Sequence, residues 1–342
     1  MANITIKKLA QELNLSVGTV SKALRDSHEI SIKTKRKVHE LVDKLKYVPN
    51  PYASSLRKRK SKTIAVVLPE VADSFFSLAI NGIEAVAQEK GYHVLIYLTH
   101  ESFSKEENIL KDFKSGRVDG ILISVSRETT QGNHIGDVQT FGIPVVFFDR
   151  VCEEVETAKV TTNDFESGYV AANHLIEKGC GEITYLSISN TLSIANKRME
   201  GYYKALADHD IKARENGVVF CTNNEEENYQ TIKNLMNNDS HPDGIIASVE
   251  KLTITIYHVC NDLQLQIPED VKVISFSNLA SALILNPSLT TITQPAFEMG
   301  KAAASLLFNA LEKRNYMLKS ENVILPSVLN VRNSTGFLLS RA

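Results

Sequence analysis

From Thr63 onward the chain alternates short runs of apolar, β-branched residues with segments of helical period, and this rhythm constrains its fold more than any other feature. TIAVVLP is followed by a helical pattern over 76–90, then HVLIYLT, a second helical pattern over 105–114, DGILISV and PVVFFD. The rhythm restarts with AKVTT and continues through EITYLSI, GVVFC, DGIIASV and VKVISFS, interleaved with helical patterns over 165–178, 197–209, 225–236 and 252–263. Strands that are apolar along their length belong to parallel sheets covered by helices on both faces. About 270 residues of this pattern exceed one comfortable core, so two α/β lobes with a cleft between them are expected.

In open sheets of this kind ligands sit beyond the carboxyl ends of the strands. The loops there carry Asp73-Ser74-Phe75-Phe76, Ser124 and Ser126, Asp149-Arg150, Asn163-Asp164, Arg198, Ser248 to Glu250, and Ser277-Asn278. From these the candidate effector contacts are Asp73, Phe75, Ser124, Asp149, Asn163, Asp164, Arg198, Glu250 and Ser277. Singly, such Asp, Asn and Ser residues cap helices. Together, aromatic faces, carboxylates and an arginine at one cleft suit a polar, hydroxyl-rich or charged small molecule.

The first 62 residues are different in kind. They hold fifteen of the 38 Lys and Arg and only five of the 40 Asp and Glu, so a net +10 head joins a net −12 remainder. Such asymmetry points to a polyanion partner for the head, because Lys and Arg that neutralise phosphates release counterions. Thr5 can cap a short helix with Ile6, Leu9, Ala10 and Leu13 at helical spacing, and Ser16 a second from Val17 to about Arg25 with Val20, Ala23 and Leu24 on one face. A third follows Ser31, with Ile32, Val38, Leu41, Val42 and Leu45 forming its expected apolar stripe.

Two short helices joined by a tight turn and braced by a third make a helix-turn-helix unit, whose second helix enters the major groove of DNA. Val17, Gly18, Thr19, Ser21 and Lys22 would face the duplex. Val17 offers apolar contact to a thymine methyl and Lys22 can reach guanine, while Thr5, Thr19, Ser21 and Ser31 are placed for phosphate contacts that fix register, and Ser16 is a further candidate DNA contact. Further on, Asn50 and Pro51 give a helix start signal for a segment too short to be stable alone. Leu56, an apolar residue among Arg and Lys, suits a minor-groove wedge.

The stretches IKKLAQELNLSVGTVSKAL and YVPNPYASSLR resemble the N-terminus of the LacI/GalR family of bacterial transcription regulators. The likeness continues through VADSFFSLAINGIEAVAQEKGY, VDGILIS, GIPVVFFDR, DFESGYVAANHLIEKG, KRMEGYYKAL and PSLTTITQPAFEMGKAAASLL, and so covers nearly the whole chain. It implies a homodimer on a palindromic operator, with hinge helices paired in the minor groove through Ala53 and Leu56. It also implies two periplasmic-binding-protein-like lobes joined by three crossings, with Arg198 as the cleft arginine. Lys22 stands where the family usually has arginine and Gly18 where a longer side chain often reads bases. Ser277 replaces an aspartate usual in sugar- and purine-binding members, and Val249-Glu250 a common polar-Asp pair.

The expected fold is therefore a small all-α helix-turn-helix domain plus an α/β domain of two lobes, with parallel sheets flanked by helices. The expected boundaries are 1–48 for the reader, 49–62 for the hinge helix and linker, and 63–342 for effector binding and dimerisation. Within the last, one lobe is expected over 63–159 with 289–318 and the other over 160–288 with 319–336. The expected function is a repressor controlled by a sugar or sugar derivative, with no cofactor and no metal. A transport binding protein or a sugar-processing enzyme are the alternatives. GxGxxG, GxxxxGK[ST], GxSxG and HExxH are all lacking, and charged and amide residues occupy the N-terminus where a signal peptide has its apolar centre. With no run of eighteen apolar residues, the chain is expected in the cytoplasm, where Cys152, Cys180, Cys221 and Cys260, lacking CxxC spacing, would stay reduced.

Overall fold

The computed structural model describes residues 4–47, 61–214, 217–238, 240–312, 318 and 321–336. The chain divides into two compact units after Ser61. Asn50, Ala53 and Leu56 of the expected hinge lie outside the described residues.

The head contains α1 (Ile6–Glu12), α2 (Val17–Leu24) and α3 (Ile32–Leu45). Leu9, Ala10, Val20, Ala23 and Val38 are its buried centre, with Leu24, Leu41, Val42 and Leu45 packed against them. Ile32 departs from the expected stripe: it is 85% exposed. It is the first residue of α3 and is not among the residues packed on the head's core. Ser16 and Ser31 cap α2 and α3 by accepting from Thr19 N at 3.0 Å and Thr34 N at 3.2 Å. Thr5, by contrast, stands at the start of α1 with no side-chain cap bond.

The second unit has two six-stranded sheets. The strands are β1 (Thr63–Leu68), β2 (His93–Leu98), β3 (Gly120–Ile123), β4 (Val145–Phe148), β5 (Lys159–Thr162), β6 (Ile183–Ser187), β7 (Val218–Phe220), β8 (Gly244–Ala247), β9 (Lys272–Phe276), β10 (Thr290–Thr293), β11 (Asn322–Leu325) and β12 (Val328–Asn330). The first sheet runs β11-β5-β4-β3-β1-β2, parallel throughout. The second runs β12-β10-β9-β8-β6-β7 and is parallel except that β12 pairs antiparallel with β10.

These sheets move the expected lobe boundaries. β5 (159–162) and β11 (322–325) belong to the first sheet and β10 (290–293) to the second. The crossings therefore lie after residues 162, 293 and 325, not after 159, 288 and 318. β5 pairs with β4, β10 with β9 and β11 with β5, so each of these short strands is held in the lobe the chain has just been in and the switch follows it.

Helices α4 (Ser74–Glu89), α5 (Phe103–Phe113), α6 (Asn133–Thr140) and α11 (Ala296–Glu312) flank the first sheet. Helices α7 (Asp164–Glu177), α8 (Ser193–Asp208), α9 (Glu225–Met236) and α10 (Glu250–Asp262) flank the second. One helix pair in each lobe packs backbone to backbone. A Cβ on Gly168 of α7 would lie 2.0 Å from the Arg198 carbonyl oxygen, and one on Gly82 of α4 would lie 2.0 Å from that of Phe297. All four cysteines are buried free thiols. Among the described residues no helix is long and apolar enough to cross a membrane.

Candidate functional sites in the head and the interlobe cleft

On the head, Ser16, Val17 and Gly18 are exposed at the start of α2, with Val17 at 41%. Thr19 is tied to Ser16 through a 2.9 Å hydroxyl contact, and the carbonyl of Ser21 accepts from Arg25 Nε at 3.1 Å. Lys22 is ion-paired with Glu29. An exposed pair of this kind is worth little in solution, so Lys22 can leave it at small cost. Thr5 and Ser31 are exposed at the starts of α1 and α3.

Between the lobes lies a cleft whose empty space, open solvent at its mouth included, is about 560 Å3. The first lobe contributes Asp73, Phe75, Phe76, Asp149 and Arg150. The second contributes Arg198, Ser248, Phe276, Ser277 and Asn278, and Gln294 joins from the second crossing. Ile188, Leu192 and Ala195 add an apolar edge that sequence reasoning missed, because apolar residues at the end of β6 and the start of α8 are indistinguishable from core.

Arg198 is 4% exposed and is held by three contacts. Its Nε donates to Asp164 Oδ1 at 2.8 Å, its Nη1 to the Ser248 carbonyl at 3.3 Å, and its guanidinium lies 4.2 Å from the Phe276 ring centroid. Burial works against that charge, but Asp164, Tyr185 and Asp149 outweigh it and hold its pKa above the usual value. Asp164 thus stands behind the arginine and not on the cavity wall. Asn163, at the first crossing, accepts from Ser327 N at 2.8 Å and Ser167 Oγ at 3.1 Å. Ser124 is fully buried and donates to Asp149 Oδ2 at 3.3 Å.

Asp149 takes a left-handed backbone at the end of β4, with φ of 62°. Burial pushes its carboxyl up to about 6, against the pull of Arg150 and Arg198. Beside it, Arg150 Nη1 donates to both oxygens of Glu101 at 2.9 Å. Burial would raise Glu101, but Arg150 outweighs it and holds the carboxyl below its ordinary value. Asp73 caps α4 by accepting from Phe75 N at 2.8 Å, and burial, reinforced by Glu250, pushes it up to about 7.

Direct bonds clasp the two lobes. Glu250 Oε1 accepts from Ser74 N at 2.7 Å, and Glu250 Oε2 from Ser277 Oγ at 3.2 Å, so this carboxylate joins the N-terminus of α4 to the second lobe. Arg127 Nη1 donates to the Ile188 carbonyl at 3.2 Å, and Thr191 Oγ1 to the Arg127 carbonyl at 3.0 Å. Of the candidate residues, Asp73, Phe75, Asp149, Arg198 and Ser277 line the cavity. Ser124, Asn163, Asp164 and Glu250 support that wall or close it through the bonds above.

Comparison with known proteins accords with both parts. Residues 5–50 match the model of bacterial regulatory proteins of the lacI family. Residues 61–329 match that of periplasmic binding proteins and the sugar binding domain of the LacI family. The chain is 26% identical over 335 residues to catabolite control protein A of Priestia megaterium, covering 97% of this chain and 99% of that one. It is 28% identical over 318 residues to the transcriptional repressor PurR of Vibrio atlanticus, covering 91% and 93%. The lac repressor dimer bound to operator and the anti-inducer ONPF shares its fold, with a TM-score of 0.83 at 20% identity over 98% of this chain and 99% of that one. With a helix-turn-helix head and a two-lobed binding body both matched, the chain belongs to the LacI family of bacterial regulatory proteins.

Proposed function

We propose that two copies of this chain bind a pseudo-palindromic operator as a repressor, and that a small-molecule effector in the interlobe cleft sets operator affinity. The observation that carries this reading is the interlobe cavity itself, whose wall is divided between lobes that Glu250 and Arg127 already bridge. A ligand touching Asp73 and Asp149 on one side and Arg198 and Ser277 on the other binds the closed arrangement better than the open one, and so shifts the population. The named relatives support it: a PurR repressor and a lac repressor dimer bound to operator share the chain's family or fold.

On this reading α2 lies in the major groove, with Val17, Gly18 and Lys22 toward base edges and Thr5, Thr19, Ser21 and Ser31 toward the backbone. Asn50, Ala53 and Leu56 would serve the minor groove at the operator centre. The protein would act in the cytoplasm, without catalysis and without a cofactor. Coupling between the two sites is reciprocal, so operator must change effector affinity by the factor by which effector changes operator affinity. Selection from random duplexes followed by footprinting tests the proposal: a symmetric site supports it, and the absence of any symmetric site overturns it.

A further inference from the structure

The charges around the cleft are unbalanced in a way that bears on the ligand. Both arginines on its wall are already matched. Arg150 gives Nη1 to both Glu101 oxygens, and Arg198 gives Nε to Asp164 and Nη1 to the Ser248 carbonyl. Three carboxylates are not matched in this way. Asp73 accepts from Phe75 N, Glu250 from Ser74 N and Ser277 Oγ, and Asp149 from Ser124 Oγ, with Arg150 Nε no nearer to Asp149 than 3.9 Å. The field of Glu70 adds to those of Glu250 and Asp149 at Asp73.

A second, independent observation lies on the same wall. Ser248 Oγ, Asn278 Oδ1 and Gln294 Nε2 are buried without a hydrogen-bond partner, and Ser248 and Gln294 are only 3% and 8% exposed. Buried polar atoms are ordinarily paired. Here they face a cavity and offer hydrogen bonds that a ligand can complete.

Resting on the reading of the cleft as an effector site, we propose that the effector is a small polar molecule bearing a protonated amine. Its ammonium group sits against Asp73 and Asp149, and an acceptor group meets Gln294 Nε2. An ammonium carries three donors and a full positive charge, so it satisfies and neutralises the carboxylates together. A hydroxyl satisfies one lone pair and leaves the charge buried. A phosphate or carboxylate would confront Asp73, Asp149 and Glu250, while the charges of the two arginines are already countered by Glu101 and Asp164. Docking a cation also returns Asp73 and Asp149, raised to about 7 and about 6, to their ionised forms. Binding at pH 7 therefore releases a fraction of a proton, mainly from Asp73, because Asp149 is mostly ionised there already.

The test is calorimetric titration of the full-length protein with matched series on the glucose, galactose and mannose scaffolds: the neutral sugar, its 2-amino form and its 6-phosphate. At least one amino sugar should bind tenfold or more tightly than its neutral parent. It should release a fraction of a proton at pH 7, read from buffers of different ionisation heat, and lose affinity toward pH 5. Asp73→Asn, or Asp149→Asn if the first does not fold, should remove the amine preference, bringing the ratio of amino-sugar to neutral-sugar affinity down to about one. A neutral sugar or phosphate that binds as tightly as its amine counterpart, or amine binding without proton release, overturns the proposal and leaves the effector reading standing. Silence of every compound, with operator binding unchanged by each, overturns both.

Discussion

Replacing Gly168 by alanine drives a methyl carbon into the backbone that carries the cleft arginine. The new Cβ would lie 2.0 Å from the Arg198 carbonyl oxygen, 2.7 Å from its carbonyl carbon and 2.8 Å from its Cα. None of these atoms is the end of a flexible side chain, so α7 and α8 must part by about 1.4 Å or more to reach ordinary contact at 3.4 Å. Overpacking of this kind costs roughly 1–3 kcal/mol, while removing a mid-helix glycine returns at most about 1 kcal/mol. A net loss of about 1–2 kcal/mol follows, or a fall of roughly 2–8 °C in melting temperature. Gly136, inside α6, is the matched control, because a Cβ there meets nothing within 4 Å. Gly136→Ala should hold or raise the melting temperature, by up to about 1 kcal/mol of stability. Thermal melts of both variants by circular dichroism, with effector titrations, decide the matter. Because Arg198 moves with α8 away from Asp164 and Ser248, Gly168→Ala should also weaken effector binding. If Gly168→Ala melts with or above the wild type, the close helix contact is wrong.

Three further outcomes are expected. Ser31→Ala should destabilise the head by about 1 kcal/mol through loss of its cap, whereas Thr5→Ala, which loses no cap bond, should leave hydrogen exchange of the head unchanged and weaken operator binding. Asp164→Asn leaves the buried Arg198 without its countercharge and should cost roughly 3–5 kcal/mol, seen as a lower urea midpoint; a midpoint equal to wild type would show that Arg198 is not paired there. Asp73 has a folded pKa near 7 against an ordinary 3.8, so its contribution to stability is full below about 3.8 and is lost as pH rises through about 7. Asp73→Asn should accordingly raise the melting temperature at pH 8 more than at pH 5, and an equal shift at both would refute the raised pKa.

The head was readable because its signals are local. Ser16 and Ser31 announce their helices within three residues, whereas Ile32 and Thr5 misled, since periodicity does not tell which positions of a first turn have a neighbour and a hydroxyl ahead of a helix need not bond back to it. The alternation of strands and helices was equally plain as far as β9, though α6 escaped notice because NHIGDVQT brings only two large apolar residues, Ile135 and Val138, to the core, and β10, α11, β11 and β12 lie beyond the last run singled out. What could not be read is the sheet to which a strand belongs. KVTT and NVIL have the same β character whichever lobe they join, and their partner is fixed by contacts distant in sequence. The cleft was legible in its polar half, through Asp73, Asp149, Arg198 and Ser277 at strand and helix ends. Its apolar edge at Ile188, Leu192 and Ala195 emerges only when the second lobe folds against the first, with Leu192 and Ala195 buried in a first-lobe cluster.

The three crossings also limit how the lobes can move. Three separate tethers, after 162, 293 and 325, join them. The first and third are tied together by the Asn163 side chain and Ser327 N. A single tether would leave one lobe free to swivel, slide and bend relative to the other. Three together suppress twist and translation and leave bending as the soft coordinate, much as several pins confine a door to one arc. Ligand energy gathered anywhere on the cavity wall is thereby channelled into one direction of movement and is not dispersed among many.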